Sequence, residues 1–147
     1  MKTLAFSALT LALTLSACNN ATTPKTTTFN ATLSGSNEVP PLVGVAASGT
    51  AKLEVNESTK EATLTGSVSN LSGDLTMAHI HGPALAGVNG PVVFPLTLTN
   101  DTVYKSATLS GKFTLTDAQM ADLKGKKFYV NVHTAANPMG EARGQLE

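Results

Sequence analysis

The feature that most constrains how this chain folds is an apolar residue at every second position. Residues 29–33 read FNATL, residues 50–55 read TAKLEV and residues 61–68 read EATLTGSV. Successive side chains of a strand point to opposite faces, so each segment has one buried and one wet face. Similar segments follow, separated by Gly, Asn, Pro and Ser: LTMAHIH, PVVFPLTL, SATLSGKFTL, FYVNVHT and EARGQL. The pattern predicts an all-β sandwich or barrel of about eight strands.

Two places interrupt the alternation. Pro95, inside VVFPLTL, has no N–H to donate to a neighbouring strand, so an edge strand or a bulge is expected there. Thr116 and Gln119 have the spacing of a helix capping box, with Thr116 as the N-cap. Gly125 then stops the helix. These signals predict one short helix at 117–124.

The first residues read as an export signal. Lys2 precedes an apolar run that is too short to serve as a mature membrane span. The tetrapeptide LSAC at 15–18 then fits the bacterial lipobox, in which a peptidase cuts before a cysteine that becomes acylated. We expect a lipoprotein signal peptide at 1–17 and a polar tether at 18–28 that begins with the lipidated Cys18.

Lipidation of Cys18 would have two consequences. Two or more acyl chains hold a protein stably at a membrane, which predicts an exported protein of the bacterial cell envelope. Asn19 rather than Asp follows the cysteine, which favours the outer membrane or cell surface over the inner membrane. Cys18 is also the sole cysteine, so the domain at 29–147 has no disulfide and depends on its core for stability.

Charge and motif content argue against several function classes. The chain has 10 basic and 10 acidic residues and shows no basic patch with interleaved aromatic residues, so a nucleic-acid partner is not expected. No nucleophile elbow and no pair of carboxylates at acid–base spacing stands out. We therefore assign no catalytic residue and favour a protein that is not an enzyme.

The three histidines are the candidate site. His79 and His81 are two residues apart in LTMAHIH, so they share a strand face with Met77. His133, in YVNVHT, shares its face with Asn131. The intervening residues are apolar and suit the core, so the imidazoles are expected to face away from it and not to be buried packing residues.

Two interpretations of these histidines are open. Three imidazole nitrogens suit copper or zinc, and the Met77 thioether would favour copper. Alternatively, His79, His81 and His133 donate hydrogen bonds to loop carbonyls and bind no metal. This is favoured because a pair of histidines on an exposed strand costs little and the sequence does not show that His133 lies near the other two. The HIH strand loosely resembles the copper-binding strand of Cu/Zn superoxide dismutases. Dismutase activity is not expected, because the chain has too few histidines and no disulfide.

A hairpin is predicted between YVNVHT and EARGQL, joined by the turn-rich segment TAANPMG. In the simplest register the cross-strand pairs are His133 with Glu141, Asn131 with Arg143, and Tyr129 with Gln145. Glu141 would then either orient the His133 imidazole or form an ordinary ion pair with it.

Two proline-containing loops are candidate binding loops, because the loops at the ends of a sandwich commonly bind ligands. Gly82 and Pro83 begin the segment GPALAGVNGPVV. Glu38, Pro40 and Pro41 lie in NEVPP, where Pro-Pro enforces an extended backbone and Glu38 is expected as a free carboxylate at the rim.

Three stretches carry a resemblance to a known family: SGSNEVPP at 34–41, AHIHGPALAGVNGPVV at 78–93 and YVNVHTAANPMGEARGQL at 129–146. Together they resemble the CHRD domain, first described in chordin and found alone in many bacterial exported proteins. The resemblance covers 29–147. It implies an immunoglobulin-like, Greek-key β-sandwich and brings no defined activity.

The function expected from the sequence is therefore a lipid-anchored, non-enzymatic module that binds or scaffolds an unidentified protein or ligand of the envelope. The alternative is an envelope protein that binds copper or zinc through its three histidines. These expectations differ in whether His133 lies close to the other two.

Overall fold

The structure is a computed structural model that describes residues 25–101 and 105–147. Within these residues the fold is all-β, as predicted, with one α-helix, α1 (Asp117–Lys124), and one 3₁₀ turn (Gly35–Asn37). There are nine described strands: β1 (Thr26–Ser34), β2 (Ser48–Asn56), β3 (Glu61–Ser69), β4 (Leu75–His81), β5 (Val92–Pro95), β6 (Thr97–Asp101), β7 (Ser106–Thr114), β8 (Tyr129–Thr134) and β9 (Ala142–Gln145).

All nine strands belong to one antiparallel sheet with the order β5-β4-β8-β9-β1-β2-β3-β7-β6. Neighbours such as β4 and β8 are distant in the chain, so long connections cross the fold as in Greek-key topologies. The two end strands, β5 and β6, are separated by Leu96 alone, and the Leu96 N–H donates to the Ala78 carbonyl, 2.9 Å away. The segment 92–101 thus links both ends of the sheet, which curls around one core.

Pro95 explains why nine strands form where eight were predicted. It is the last residue of β5, and PVVFPLTL is divided there into β5, which pairs with β4, and β6, which pairs with β7. Because proline donates no hydrogen bond, the chain changes partner strand at this point. The expected edge position is confirmed, since β5 ends the sheet order.

The alternating apolar residues form the core. Leu53 of β2, Leu64 of β3, Ile80 of β4 and Leu109 of β7 are each no more than 1% exposed. Fully burying one such side chain contributes about 1.5–3 kcal/mol relative to leaving it in water. The core therefore fixes which faces of β4 and β8 point outward.

Helix α1 begins and ends where the sequence predicted. The Gln119 N–H donates to Thr116 Oγ1 at 3.2 Å, and the Thr116 N–H donates to Gln119 Oε1 at 2.9 Å, which completes the capping box. Met120 and Leu123 are buried beneath the helix. Gly125 is the C-cap residue, and the left-handed conformation comes one residue later, at Lys126, with φ of 56°.

The end of the predicted tether was placed wrongly. Residues 26–28 belong to β1, where Thr26 pairs with Asn56. Threonine suits a pleated sheet, and Thr27 donates from Oγ1 to Glu57 Oε1 at 2.7 Å. The predicted signal peptide, Cys18 and the start of the tether lie outside the described residues. Within the described part of the chain, no helix is both long and apolar enough to cross a membrane.

Candidate metal centre

The candidate centre is built on the outer faces of two adjacent strands. In the β4–β8 register Met77 lies opposite His133, His79 opposite Asn131, and His81 opposite Tyr129. The inward-facing residues of β4, Ala78 and Ile80, are each 1% exposed. The predicted division of faces is therefore confirmed, and the sheet register places His133 beside the HIH strand.

The three imidazoles converge. His79 Nδ1 and His133 Nε2 are 3.4 Å apart, and one ring nitrogen from each of His79, His81 and His133 lies within 4.8 Å of the other two. Metal–nitrogen bonds to zinc are about 2.0–2.1 Å, so two nitrogens on one tetrahedral ion are about 3.4 Å apart. The His79–His133 pair already has this separation. A small closing movement of His81 would complete a three-nitrogen set.

Two hydrogen bonds orient the rings. His81 Nδ1 lies 3.0 Å from the Gly90 carbonyl oxygen, and His133 Nδ1 lies 3.1 Å from that of Pro138. A carbonyl only accepts, so in the neutral rings each Nδ1 carries the proton and each Nε2 keeps a lone pair. His81 Nε2 is buried and has no hydrogen-bond partner. Hydrogen bonds from the histidines to loop carbonyls were expected if no metal is bound. The same kind of hydrogen bond also typically orients a histidine that binds a metal ion.

The histidines face away from the core, as expected, but two of them are nevertheless buried. His81 is 9% exposed and His133 is 7% exposed, whereas His79 is intermediate. The cause is a second layer of loops over the outer face, including the segment 82–91, whose Gly90 contacts the His81 ring. The centre is therefore sheltered on one side and open near His79.

Burial is the main reason that the pKa of each histidine is lowered. The charge of a protonated His81 lowers the pKa of His79 further, and Arg143 does the same for His81. The carbonyl bonds to Gly90 and Pro138 oppose the shifts without cancelling them. The imidazoles are therefore held in the neutral form, which is the form that binds metal ions.

A stack of three side chains supports His81. Its ring lies parallel to that of Tyr129, with centroids 5.0 Å apart, and the Arg143 guanidinium carbon lies 3.5 Å from the Tyr129 ring centroid. Arg143 also donates to Asn89 Oδ1 at 3.0 Å and to the Val88 carbonyl at 2.7 Å. Arg143, which belongs to β9, thereby holds Val88 and Asn89 of the loop in place. The next residue of this loop, Gly90, is hydrogen-bonded to the His81 imidazole.

A scan against protein-family models matches residues 29–146 to the CHRD domain. The chain belongs to the CHRD domain family. The match confirms the resemblance carried by the two histidine-containing stretches. A search of curated proteins found no match. The lipoprotein form of this CHRD protein stays a prediction.

The hairpin register of the CHRD domain is as predicted, but one proposed side-chain pair does not form. Asn131 pairs with Arg143, and Tyr129 with Gln145. Glu141 lies outside β9, and among the described residues its carboxylate forms no hydrogen bond or ion pair with His133. Its carboxylate accepts from the Ser72 N–H and hydroxyl at 2.5 and 2.9 Å and from the Thr134 hydroxyl. The prediction of a His133–Glu141 pair was wrong, because Ser72, Thr134 and Asn137 donate to the carboxylate instead.

Glu38 was expected as a free carboxylate at the rim, and this was wrong as well. It is 6% exposed, and Asn131 Nδ2 donates to its Oε2 at 3.4 Å. Burial raises the pKa of Glu38 to about 7, although the nearby Arg143 charge and the Asn131 hydrogen bond act to lower it. Glu38 Oε1 and Asn131 Oδ1 are both buried without a donor. A proton on Glu38 would let the acid donate to the Asn131 amide oxygen.

The other loop candidates take different positions in this CHRD domain. Pro40 is exposed, and Pro41 lines an open groove of about 1020 Å³ together with Glu38 and Arg143. Gly82 is buried: its N–H donates to the Pro91 carbonyl at 2.9 Å, and a Cβ there would collide with the Phe128 ring. Pro83 is exposed. As binding residues, all of these stay candidates.

Sequence reasoning missed three residues that hold the histidines: Tyr129, Gly90 and Pro138. Tyr129 carried a weak signal, since it shares its strand face with Asn131 and His133. Gly90 and Pro138 act through backbone carbonyls, which leave no side-chain signature. The hydrogen bonds from the histidines to Gly90 and Pro138 are therefore seen only in the folded structure.

Proposed function

We propose that this CHRD domain binds one copper or zinc ion through His79, His81 and His133. The observation that carries the proposal is the convergence of three ring nitrogens within 4.8 Å. The chain owns only three histidines, and the fold gathers all of them from two strands that are 52 residues apart, counted from His81 to His133. The sequence alone favoured a module without a metal, and the convergence reverses that preference.

Hydrogen bonding among the histidines is a weaker explanation of the same geometry. A proton on His79 Nδ1 would satisfy His133 Nε2 across the 3.4 Å gap. It would leave His81 Nε2 buried without a partner. An unpaired buried polar atom costs about 1–3 kcal/mol. A bound ion would use all three lone pairs at once, which favours the metal.

The donor set supports copper or zinc over harder ions. Imidazole nitrogen suits zinc and copper, whereas calcium and magnesium prefer oxygen. Three protein ligands leave a fourth position on an ion of tetrahedral preference, and partly exposed His79 and Met77 flank the open side. With three histidines in the chain, a copper site of four histidines is excluded. We therefore propose a metal-binding module and not a dismutase.

We further propose that the module works in the bacterial cell envelope, held by a lipid on Cys18. The support is the LSAC sequence at 15–18 after a basic start and an apolar run. A neutral three-histidine site suits an exported protein, because the ligands are not thiols and need no protection from oxidation. Labelling with a fatty-acid analogue tests the anchor: Cys18→Ala should abolish incorporation, and unchanged labelling would disprove it.

Calorimetric titration of residues 19–147 in metal-free buffer tests the metal proposal. We expect one ion per chain with a Kd below about 1 μM for copper or zinc. His79→Ala should weaken binding at least about tenfold, since it removes a ligand that is only partly buried. Thr65→Ala, on the exposed face of β3, is the control and should bind as the wild type does. Flat heats for both metals would contradict the proposal.

A further inference from the structure

Two exposed methionines adjoin the histidine centre. Met77 is 47% exposed and Met139 is 88% exposed, whereas Met120 is buried on α1. Met77 lies directly opposite His133 in the β4–β8 ladder. Met139 follows Pro138, whose carbonyl oxygen lies 3.1 Å from His133 Nδ1. Among residues 25–101 and 105–147, the two exposed methionines are thus related to the same imidazole: Met77 lies opposite His133 in the sheet, and Met139 follows the residue whose carbonyl is hydrogen-bonded to the His133 ring.

Met139 sits on a tightly held turn. The Asn137 N–H donates to the Thr134 carbonyl at 3.2 Å, and the Gly140 N–H donates to the Asn137 carbonyl at 3.1 Å. The Glu141 carboxylate accepts from Asn137 Nδ2 at 3.0 Å and so closes the turn. Gly140 has φ of 135°, and a Cβ there would lie 2.7 Å from Asn131 Oδ1, so this backbone path requires glycine. The fold therefore holds the backbone of Met139 in a defined place, while its side chain is exposed to solvent.

Both thioethers are within reach of the centre. Residues directly opposite in an antiparallel pair have Cβ atoms about 4.5–5.5 Å apart, which applies to Met77 and His133. The Met139 Cα is about 3.8 Å from that of Pro138, and methionine has three rotatable side-chain bonds with which to turn its sulfur. No packing holds the Met139 side chain elsewhere, since it is almost fully exposed.

Thioether sulfur discriminates between the candidate ions. It is a soft ligand that selects copper(I), whereas imidazole alone accepts zinc and copper alike. Met77 and Met139 are exposed and are not part of the buried core, so packing in the core does not account for a methionine at either position. A soft ion on the three nitrogens would have Met77 beside it, and the exposed side chain of Met139 is free to turn its sulfur toward the same ion.

We propose that Met77 and Met139 supply thioether sulfur to the open side of the His79–His81–His133 centre and make it selective for copper(I). The inference rests on the proposed metal-binding function and deepens it by naming the ion and its oxidation state. Copper stays monovalent throughout: bonds to solvent or carrier ligands are exchanged for bonds to nitrogen and sulfur, and no electron is transferred.

Parallel affinity measurements test the inference on residues 19–147. Copper(I) is titrated without oxygen against bicinchoninate as a competing chelator, and zinc is titrated separately. The double variant Met77→Leu, Met139→Leu keeps apolar bulk and removes both sulfurs. It should lose at least about tenfold in copper(I) affinity and keep its zinc affinity within about twofold. Met120→Leu removes a thioether from the helix and should change neither affinity.

Each other result has a distinct meaning. If the double variant binds copper(I) as tightly as the wild type, the thioethers are not ligands and the inference is overturned. An equal loss for both metals, with a lowered melting temperature, assigns the methionines a structural role and overturns it too. If the wild type binds zinc but not copper(I), the inference fails while the three-histidine proposal stands. Binding of neither metal overturns the proposed function itself.

Discussion

His79 Nδ1 and His133 Nε2 lie 3.4 Å apart although the two residues are separated by 54 positions in the chain. The β4–β8 ladder brings them together, with His79 opposite Asn131, the residue two positions before His133 on the same face of β8. A diagonal pair of this kind needs the ladder to keep its register, because a slip of one residue would turn every side chain to the other face. The site thus depends on the core residues that hold the register.

Tyr129 is expected to affect metal affinity without touching the ion. Its hydroxyl accepts from the Gly90 N–H at 3.0 Å and donates to the Gly90 carbonyl at 3.3 Å, and the same carbonyl accepts from the His81 Nδ1–H. Tyr129→Phe keeps the stacked ring and removes both hydrogen bonds to Gly90, so we expect a loss of about 1 kcal/mol in folding stability. Metal affinity should fall about tenfold as the orientation of His81 loosens. Calorimetry measures both, and unchanged affinity would show that Gly90 is held without the phenol.

Glu38 should make folding stability decrease as pH rises. Its pKa is raised from 4.5 to about 7, so the folded protein binds more protons than the unfolded chain between these values. The contribution of the protonated acid is complete below pH 4.5 and is lost as pH rises through 7. It amounts to at most about 3 kcal/mol.

Chemical unfolding of the wild type and Glu38→Gln at several pH values isolates this effect, because other titrating groups cancel in the difference. The side-chain amide of this variant can donate to the Asn131 oxygen at any pH. We expect the variant to gain in stability relative to the wild type between about pH 5 and 8. A difference that does not vary with pH would show that Glu38 is ionised throughout this range.

Glu141 should behave in the opposite way. Burial acts to raise its pKa, but hydrogen bonds from Thr134, Ser72 and Asn137 outweigh burial and lower it. The folded state therefore favours the carboxylate, and its contribution is present above pH 4.5 and lost as pH falls through the lowered pKa. Glu141→Gln should cost about 1.5–3 kcal/mol at about pH 7 and less in acid.

The same variant separates the turn from the metal centre. Since the Glu141 carboxylate is not hydrogen-bonded to His133 in this fold, metal affinity measured on folded Glu141→Gln should stay within about threefold of the wild type. Removing a group that hydrogen-bonds to a metal ligand usually weakens metal affinity by about 10–100-fold. A loss of that size would contradict this prediction and would indicate that Glu141 does interact with His133, as the hairpin register first predicted.

The helix cap gives an independent check on the fold. Thr116→Ala removes the acceptor of the Gln119 N–H and should destabilise the domain by about 1 kcal/mol. Metal binding should be unchanged, because α1 does not carry a ligand. Thermal unfolding measures the loss, and a variant as stable as the wild type would show that the cap is dispensable.

Strand faces and register followed from the sequence because alternation is a local signal. Val130 and Val132 are fully buried, as their period predicts, and Tyr129 pairs with Gln145. The contacts that decide the site are not local. Glu38 reaches Asn131 across 93 residues, and the segment 82–91 covers the outer face of its own sheet. An alternating sequence pattern shows which face of a strand is turned to the core, but not whether a loop covers the other face. The burial of His81 and His133 beneath loops was therefore not predicted.

The most direct test is nitrogen NMR of the histidine side chains in residues 19–147 on addition of zinc. With one equivalent, the three imidazoles should shift together and saturate, with metal on Nδ1 of His79 and on Nε2 of His81 and His133. Protons should stay on Nδ1 of His81 and His133, where Gly90 and Pro138 accept them. Histidine signals that do not change with zinc or copper(I) would contradict the account. The three rings would then serve only to join the sheet to its loops.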